Sequence, residues 1–350
     1  QLNEFSCPTG GCFAAPTADK SASTSDQFRP GIVVKSNFGG SPVTLTAEGA
    51  GLLGQIKDVG AGFLGQSSPI FGAGAGVGPT NRNDYDLASF AIFVELALDG
   101  KAIGIPGWTP YVSFDWHKGD GNAFDDTYGG YVPISNLTAA LRKDGFKGQS
   151  ISSFGPASLG ASSEDGWGFD VTGRGTGPTL GSIVPDETLG VDGGTFNNRG
   201  GKGGNPGFMK VNGGVLGKIN KNWDTHIGFG IYWWDKTEAN IAEAAQNCVA
   251  SGAFGCNGGA AGDPRNDALV QANQSVITSA LPDLSSSYMG FEINANLGYN
   301  INNFRIQPFI SVFVPGSSVE AIGRAFLGTT GTSITNETAV TAGVEFSAAF

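Results

Sequence analysis

The sequence has no long apolar run. Its richest stretch, Leu87 to Leu98, covers 12 residues and is interrupted by Ser89 and Glu95. A helix needs about 20 apolar residues to cross a bilayer. We therefore expect no membrane-spanning helix in this chain.

Charged residues are scarce, and most of them are acidic. They make up 15% of the 350 residues, and the net charge is −11. Because nucleic-acid binding depends on a basic surface, a nucleic-acid partner has no electrostatic support. Glycine is abundant instead, with 57 residues that follow no G-X-Y period. Glycine weakens helix interiors and collagen requires that period, so an all-β chain with glycine-rich loops fits best.

Histidine and cysteine are also rare. The four cysteines form two close pairs, Cys7 with Cys12 and Cys248 with Cys256, and the two histidines lie far from both pairs in sequence. Metal sites usually show other spacings of Cys and His, although a metal site is the alternative interpretation. We expect two local disulfides in an oxidising compartment. Gln1 follows no signal peptide, so we expect a mature or truncated chain.

The clearest positive signal is period-two alternation. Between Trp223 and Trp234, one face would carry Trp, Thr, Ile, Phe, Ile and Trp, and the other Asp, His, Gly, Gly, Tyr and Trp. Successive side chains of a strand point to opposite faces, so this segment predicts a strand with one apolar face. Comparable alternation predicts nine strands, in the ranges 31–38, 42–53, 84–98, 107–117, 207–219, 222–235, 286–299, 303–315 and 338–350.

A soluble β-sandwich would alternate too, but three details favour a membrane barrel. The polar faces carry Asn, Gly, Ser and charged residues, as a water-filled lumen requires. Aromatic residues cluster near strand ends, where interfacial girdles belong. Connections are very short at 220–222 and 300–303 but very long at 118–205 and 236–285. Short turns on one side and long loops on the other are typical of outer-membrane barrels.

The end of the chain strengthens this interpretation. Val344, Phe346 and Phe350 share one face of the last predicted strand, with Glu345 on the other. This segment resembles the terminal strand of bacterial outer-membrane proteins, whose alternating apolar residues and final aromatic residue are read by the barrel-insertion machinery. The run from Tyr85 to Asp120 is similar in style to the alginate-export-like porins, a resemblance that implies no particular substrate.

We therefore expect a transmembrane antiparallel up-and-down β-barrel of roughly 10–16 strands over residues 30–350. If the last strand ends in the periplasm, residues 1–29 and the loop 236–285 with its disulfide are extracellular. Nine strands beginning outside is an odd number, whereas single-chain bacterial barrels have even counts. Either a strand precedes Gln1, or residues 1–29 reach the periplasm through the lumen, or 31–38 is not a strand.

The lumen faces supply the candidate functional residues, which would tune ion preference in a mixed-charge channel. The alternative is a filled barrel in which these groups pair with one another. The candidates are Lys35, Glu48, Glu95, Asp115, His117, Lys210, Lys218, Asp224, His226, Glu292, Arg305 and Glu345.

The glycine-rich region 118–205 is long enough to fold inward as a constriction or plug. Oxygen-bearing side chains are dense at its start, and such ligands suit Ca²⁺, whereas a solvated acidic loop is the alternative interpretation. The residues concerned are Asp115, Asp120, Asn122, Asp125 and Asp126.

The sequence thus predicts an outer-membrane porin for passive diffusion of ions or small hydrophilic solutes. The alternative is a structural or adhesive surface protein whose barrel is only an anchor. No set of residues predicts catalysis, and Ca²⁺ is the one cofactor considered. The expected partners are outer-membrane lipid and lipopolysaccharide, the barrel-assembly machinery and small hydrophilic solutes; a homo-oligomer is compatible with this architecture.

Overall fold

A computed structural model describes residues 24–28, 30–59, 83–122, 125, 127–130, 206–257, 267–327 and 337–348. Five predictions from the sequence concern residues outside these ranges. They are the location of most of the segment 1–29, the pairing of Cys7 with Cys12, the role of Asp126 in a cation site, the place of Phe350, and most of the region 118–205.

The described residues form one large, almost wholly antiparallel sheet. Each of the nine segments that alternate in sequence contains a strand, and two short strands were not anticipated. The strands are β1 (Thr24–Phe28), β2 (Gly31–Asn37), β3 (Val43–Val59), β4 (Asn83–Leu98), β5 (Trp108–His117), β6 (Thr127–Tyr128), β7 (Phe208–Lys218), β8 (Trp223–Trp234), β9 (Tyr288–Ile301), β10 (Phe304–Pro315) and β11 (Ala339–Ala348).

Neighbours in the sheet follow chain order, as in an up-and-down arrangement. The path runs β1-β3-β4-β5-β7-β8-β9-β10-β11, while β2 also pairs with β3 and the two-residue β6 pairs in parallel with β4. β1 and β2 occupy the same edge of β3, along Leu53–Lys57 and Thr44–Ala50 respectively. They therefore act as one strand that is interrupted at Pro30, whose carbonyl accepts a hydrogen bond from the Gly51 N–H at 2.8 Å.

This arrangement bears on the odd strand count. One explanation of the odd count was that 31–38 is not a strand. It is wrong, because 31–37 forms β2. Because β1 shares an edge with β2, it adds no further position to the sheet. The two edges, β1 with β2 on one side and β11 on the other, run in the same direction, and the pairings among the described strands do not join them.

The connections differ sharply between the two ends of the sheet. At one end, which we call the short-turn end, the links are 38–42, 99–107, 219–222 and 302–303. At the other, the long-loop end, strands are linked through 60–82, 118–207, 235–287 and 316–338. The asymmetry suggested by the sequence therefore extends over the whole described sheet.

Among the described residues, three helices lie at the long-loop end; they were not predicted, since 236–285 was expected to be a loop. They are α1 (Thr237–Ser251), α2 (Asp267–Ala280) and α3 (Ser317–Leu327), with a 3-10 segment at Pro282–Ser285. α1 is rich in alanine and free of glycine, unlike most of the chain, which explains its helical preference. None of the described helices is both long and apolar enough to cross a membrane.

The three helices and the 3-10 segment form what we call the helical cap. Their apolar side chains, including Val270, Ile277, Leu281 and Ile322, share one buried cluster. A disulfide joins Cys248 near the end of α1 to Cys256, as the sequence predicted. α1 itself ends at Gly252, whose φ of 66° suits glycine and whose N–H donates to the Cys248 carbonyl oxygen at 2.8 Å.

Removing this disulfide should loosen the helical cap but not the sheet. In the double variant Cys248→Ser, Cys256→Ser we expect the cap to lose about 2–3 kcal/mol of local stability, the value for closing a loop this short. Hydrogen exchange followed by mass spectrometry should show faster exchange in α1 and unchanged exchange in β8 and β9.

The matched control is the double variant Cys7→Ser, Cys12→Ser, which should leave exchange in α1 as it is in the native chain. Unchanged exchange in α1 of the first variant would show that the disulfide does not stabilise the cap.

Candidate functional site

In a soluble protein the exposed face of a sheet is polar and the buried face is apolar. In this sheet the exposed face is apolar and the buried face is polar. On β8, the side chains of Ile227 and Phe229 are 50% and 47% exposed, whereas His226 on the other face is 3% exposed. We call the face with Ile227 the outer face and the face with His226 the inner face. Large exposed apolar residues recur on the outer face of other strands, among them Ile32, Leu96, Val112, Ile293, Ile310, Val344 and Phe346.

The inner face is polar and largely buried. Strand pairing places every lumen candidate from the sequence on this one face. Paired residues on neighbouring strands point to the same side of a sheet, and so do residues two apart along one strand. Glu95, His117, Lys210, His226 and Glu292 are buried, and Asp224 and Arg305 are half-buried. Lys35 and Lys218 are exposed. Glu48, Asp115 and Glu345 are placed on the face by their backbone register alone.

An ion pair joins β8 to β10 near the short-turn end. The Arg305 guanidinium donates from Nη1 to Asp224 Oδ2 at 2.8 Å and from Nη2 to Asp224 Oδ1 at 2.7 Å. Its Nε donates to Gln307 Oε1 at 2.8 Å, and Asn300 Nδ2 donates to Asp224 Oδ2 at 3.1 Å. This bidentate geometry fixes both charged side chains across the intervening strand β9.

Gly298 of β9 makes this ion pair possible. It lies directly opposite Asp224, and a Cβ atom at Gly298 would collide with Asp224 Oδ1 and lie 2.5 Å from Arg305 Nη2. A glycine on the inner face has no side chain of its own to fill the interior. At this position the space is instead occupied by the side chains of the neighbouring strands.

A hydrogen bond also joins β5 to β8 across the intervening strand β7. Tyr111 Oη and His226 Nε2 are 2.6 Å apart, and the two rings stack with centroids 5.7 Å apart. The intervening Gly214 leaves room for it, since a Cβ there would lie 2.9 Å from Tyr111 Oη. Asn296 Oδ1 accepts from the backbone N–H of His226 at 3.1 Å. Sequence reasoning missed Tyr111, although it shares the inner-face alternation of Ser113, because its partner lies two strands away.

The inner face gathers charge of both signs near the long-loop end. Lys210 and Glu292 have 0% exposed surface. The Lys210 ammonium lies 5.6 Å from the centre of the Tyr232 ring, and Asn294 Nδ2 donates to Glu292 Oε1 at 3.2 Å. Buried charges require such polar partners, because an unsolvated charge is costly. The inner face is thus a packed polar network that offers both hydrogen-bond donors and acceptors.

The acidic segment after β5 lies at the long-loop end. Asp120 is 3% exposed and accepts from the Asn122 backbone N–H at 3.2 Å. The pKa of Asp120 is raised to about 7: burial is the largest cause and Asp125 adds to it, while the Asn122 and Gly129 N–H groups and the Lys118 charge oppose the rise. Among the residues whose placement is described, no three His, Cys, Asp or Glu side chains are close enough to hold a metal. The Ca²⁺ site stays a prediction, since Asp126 and the Asp115 side chain lie outside the description.

A comparison with models of protein families finds no match, and no curated protein is significantly similar. The interpretation of the inner face therefore depends on the geometry alone.

A methyl group at Gly298 should disrupt the Asp224–Arg305 ion pair. We expect Gly298→Ala to lower the free energy of unfolding by about 1–3 kcal/mol, because both charged side chains must move to accommodate the added carbon. Urea titration of the folded protein in detergent micelles would measure the change.

Gly49→Ala is the matched control on β3, where an added Cβ would meet only Ile32 Cγ2 at an ordinary 3.6 Å. This variant should keep full stability. Equal stability of the two variants would mean that the space at Gly298 is not needed.

Ionisation of Asp120 should destabilise the fold. Its pKa is raised in the folded protein, so the stability that comes from the neutral carboxyl is complete below the unfolded pKa near 4 and is lost as pH rises through about 7. Asp120→Asn, which stays neutral, should be more stable than the native chain at pH 8 and similar at pH 4. Thermal unfolding at both pH values tests this, and an unchanged difference between the two proteins would contradict it.

Proposed function

We propose that the chain is a β-barrel of a bacterial outer membrane through whose polar interior ions or small hydrophilic solutes diffuse. The observation that carries the proposal is the inversion of the sheet, with apolar side chains exposed and polar side chains buried. The partners on this proposal are membrane lipid and lipopolysaccharide, the barrel-assembly machinery and the diffusing solutes.

The energetics of the outer face support a lipid environment. Phe346, Phe304 and Ile32 are 74%, 59% and 65% exposed, and similar residues cover the outer face of most strands. Exposing apolar surface to water costs about 25 cal/mol per Å², so a face of this kind would be unstable and adhesive in water. Acyl chains remove that cost.

Aromatic pairs at both ends of the outer face support the same environment. Trp223 and Tyr299 stack at 4.3 Å between ring centres near the short-turn end, and Phe90 and Trp116 meet edge to face at 4.7 Å near the long-loop end. On β8, Trp223 and Trp233 are ten residue steps apart. At about 3.4 Å per residue and a tilt of about 40°, this distance gives an apolar band of about 26 Å, close to that of outer-membrane barrels.

A sheet in lipid must also be closed, because open edges leave backbone groups without hydrogen-bond partners. The proposal therefore requires that the edge formed by β1 and β2 and the edge formed by β11 are joined, directly or through a further strand. A direct join would be parallel, since these strands run in the same direction.

The inner face supports passage of hydrophilic solutes. Its charged residues with exposed surface are Lys35, Lys218 and Arg305 as cations and Asp224 as an anion. Such mixed-charge linings solvate ions and small polar molecules and tune their preference.

One observation favours a second candidate function, in which the barrel anchors the helical cap at the cell surface. Lys210 and Glu292 have no exposed surface, so the interior at their level is closely packed. Barrels of few strands are often filled by their own side chains. In this case the cap would be the working part of the protein.

Conductance in planar bilayers separates the two functions, and reciprocal variants of the ion pair identify the pathway. We expect a small steady current from the native protein. Arg305→Gln leaves Asp224 unpaired and should shift the reversal potential toward cation preference, whereas Asp224→Asn should shift it toward anion preference.

Opposite shifts in the two variants would place the pair on the conducting path. A complete absence of current from folded, membrane-inserted protein would contradict the channel and favour the anchor.

A further inference from the structure

We propose that the helical cap is a lid over the long-loop opening of the barrel, held shut by apolar contacts with the inner face. This inference rests on the proposed channel function. It assigns a role to the helices, which nothing in the sequence alternation anticipated.

The cap is attached to the sheet at its long-loop end, at the opening that a lid would cover. α1 begins three residues after β8 ends, and α3 begins two residues after β10 ends, both at the long-loop end. α3 contacts β9 and β10, while α1 packs on α2, on α3 and on the 3-10 segment. The helices therefore form one unit that is seated on the ends of neighbouring strands.

The underside of the cap meets the inner face. Tyr232 and Trp234 lie an even number of residues from His226 on β8, so they belong to the inner face. Phe313 lies an even number of residues from Arg305 on β10 and belongs to the same face. All three belong to the same buried cluster as Val249, Ile277, Leu284 and Ile322 of the cap. Because the outer face stays exposed, the cap covers the interior side of the sheet.

Phe313 is central to this contact. It is 3% exposed, its ring meets the Tyr232 ring edge to face at 6.2 Å between centres, and it lies over Gly290. Gly290 has φ of 138°, and a Cβ there would be 2.9 Å from the Phe313 ring, so both the backbone conformation and the close approach require glycine.

Hydrogen bonds fasten the cap on both sides. Ser318 Oγ donates to the Tyr288 carbonyl oxygen at 2.6 Å, and the Gly316 N–H donates to the Met289 carbonyl oxygen at 2.7 Å. Beside the start of the cap, Asp235 Oδ2 accepts from the Gly119 N–H at 2.8 Å. The cap is thus tied to the strand ends of β9 and β10 and to the segment that follows β5.

The chemistry of this contact suits a closed gate. At the cap the inner face carries Tyr232, Trp234 and Phe313, beside the fully buried Lys210 and Glu292, which pair with Tyr232 and Phe313 in the sheet. Side chains packed this closely leave no room for water or ions and stop conduction at this level. The resting channel would therefore conduct little until the cap moves away.

Single-channel recording of matched variants tests the lid. Phe313→Ala removes an inner-face side chain from the contact with the cap and should raise the open fraction at least about tenfold, since loss of a buried Phe side chain shifts an equilibrium by that factor or more. Phe229→Ala on the exposed outer face of β8 is the control and should leave the open fraction unchanged.

A second pair of variants changes the cap and leaves the strands intact. Ile322→Asp places a charge in the cluster from α3, where Ile322 is 3% exposed, and Arg324→Asp places the same charge on the exposed side of that helix. Ile322→Asp should open the channel and Arg324→Asp should not. Circular dichroism would confirm that each variant keeps its strand content.

The outcomes separate the lid from the channel. If the native protein and all four variants conduct equally, the lid is wrong and the channel stands. If none of them conducts, the proposed channel fails, and the lid fails with it.

Discussion

Alternate side chains of a β-strand point to opposite faces, so a strand of about ten residues can separate an apolar medium from a polar one. This sheet uses that property throughout, with Ile227, Phe229 and their counterparts on one face and His226, Lys210 and Glu292 on the other. The length of the strands, the aromatic residues at their ends and the asymmetry of the connections all suit this division. A sheet with a solvated polar face and a buried apolar face would need none of them.

On the inner face, many polar groups lie close together out of water. Each buried charge needs partners, and each partner needs room. Glycines in the central strands supply the room: Gly214 lies beneath the Tyr111–His226 hydrogen bond and Gly298 beneath the Asp224–Arg305 ion pair. These glycines therefore make room for the side chains of neighbouring strands. Those side chains, which lie over the glycines, set the cross-section of any pathway.

The alternation was sufficient to predict the nine long strands and which residues share a face, because both follow from local period. It could not reveal β1, which is a short continuation of β2 along the edge of β3, nor the contact between Tyr111 and His226, which depends on pairing across β7. The helices were not predicted, because alternation of period two carries no signal for a helix. The alanine-rich, glycine-free Thr237–Ser251 was the local signal that could have identified α1.

The most direct test of the account is the environment of each face in a lipid bilayer. Spin labels attached one at a time to positions 225–232 of β8, with Cys7 and Cys12 replaced by Ser and the Cys248–Cys256 disulfide intact, would report it. Collisions with oxygen, which dissolves in lipid, should be frequent at Thr225, Ile227, Phe229 and Ile231 and rare at His226, Gly228, Gly230 and Tyr232. High accessibility of the outer positions to a water-soluble nickel complex, or the loss of period two, would contradict a membrane-embedded sheet.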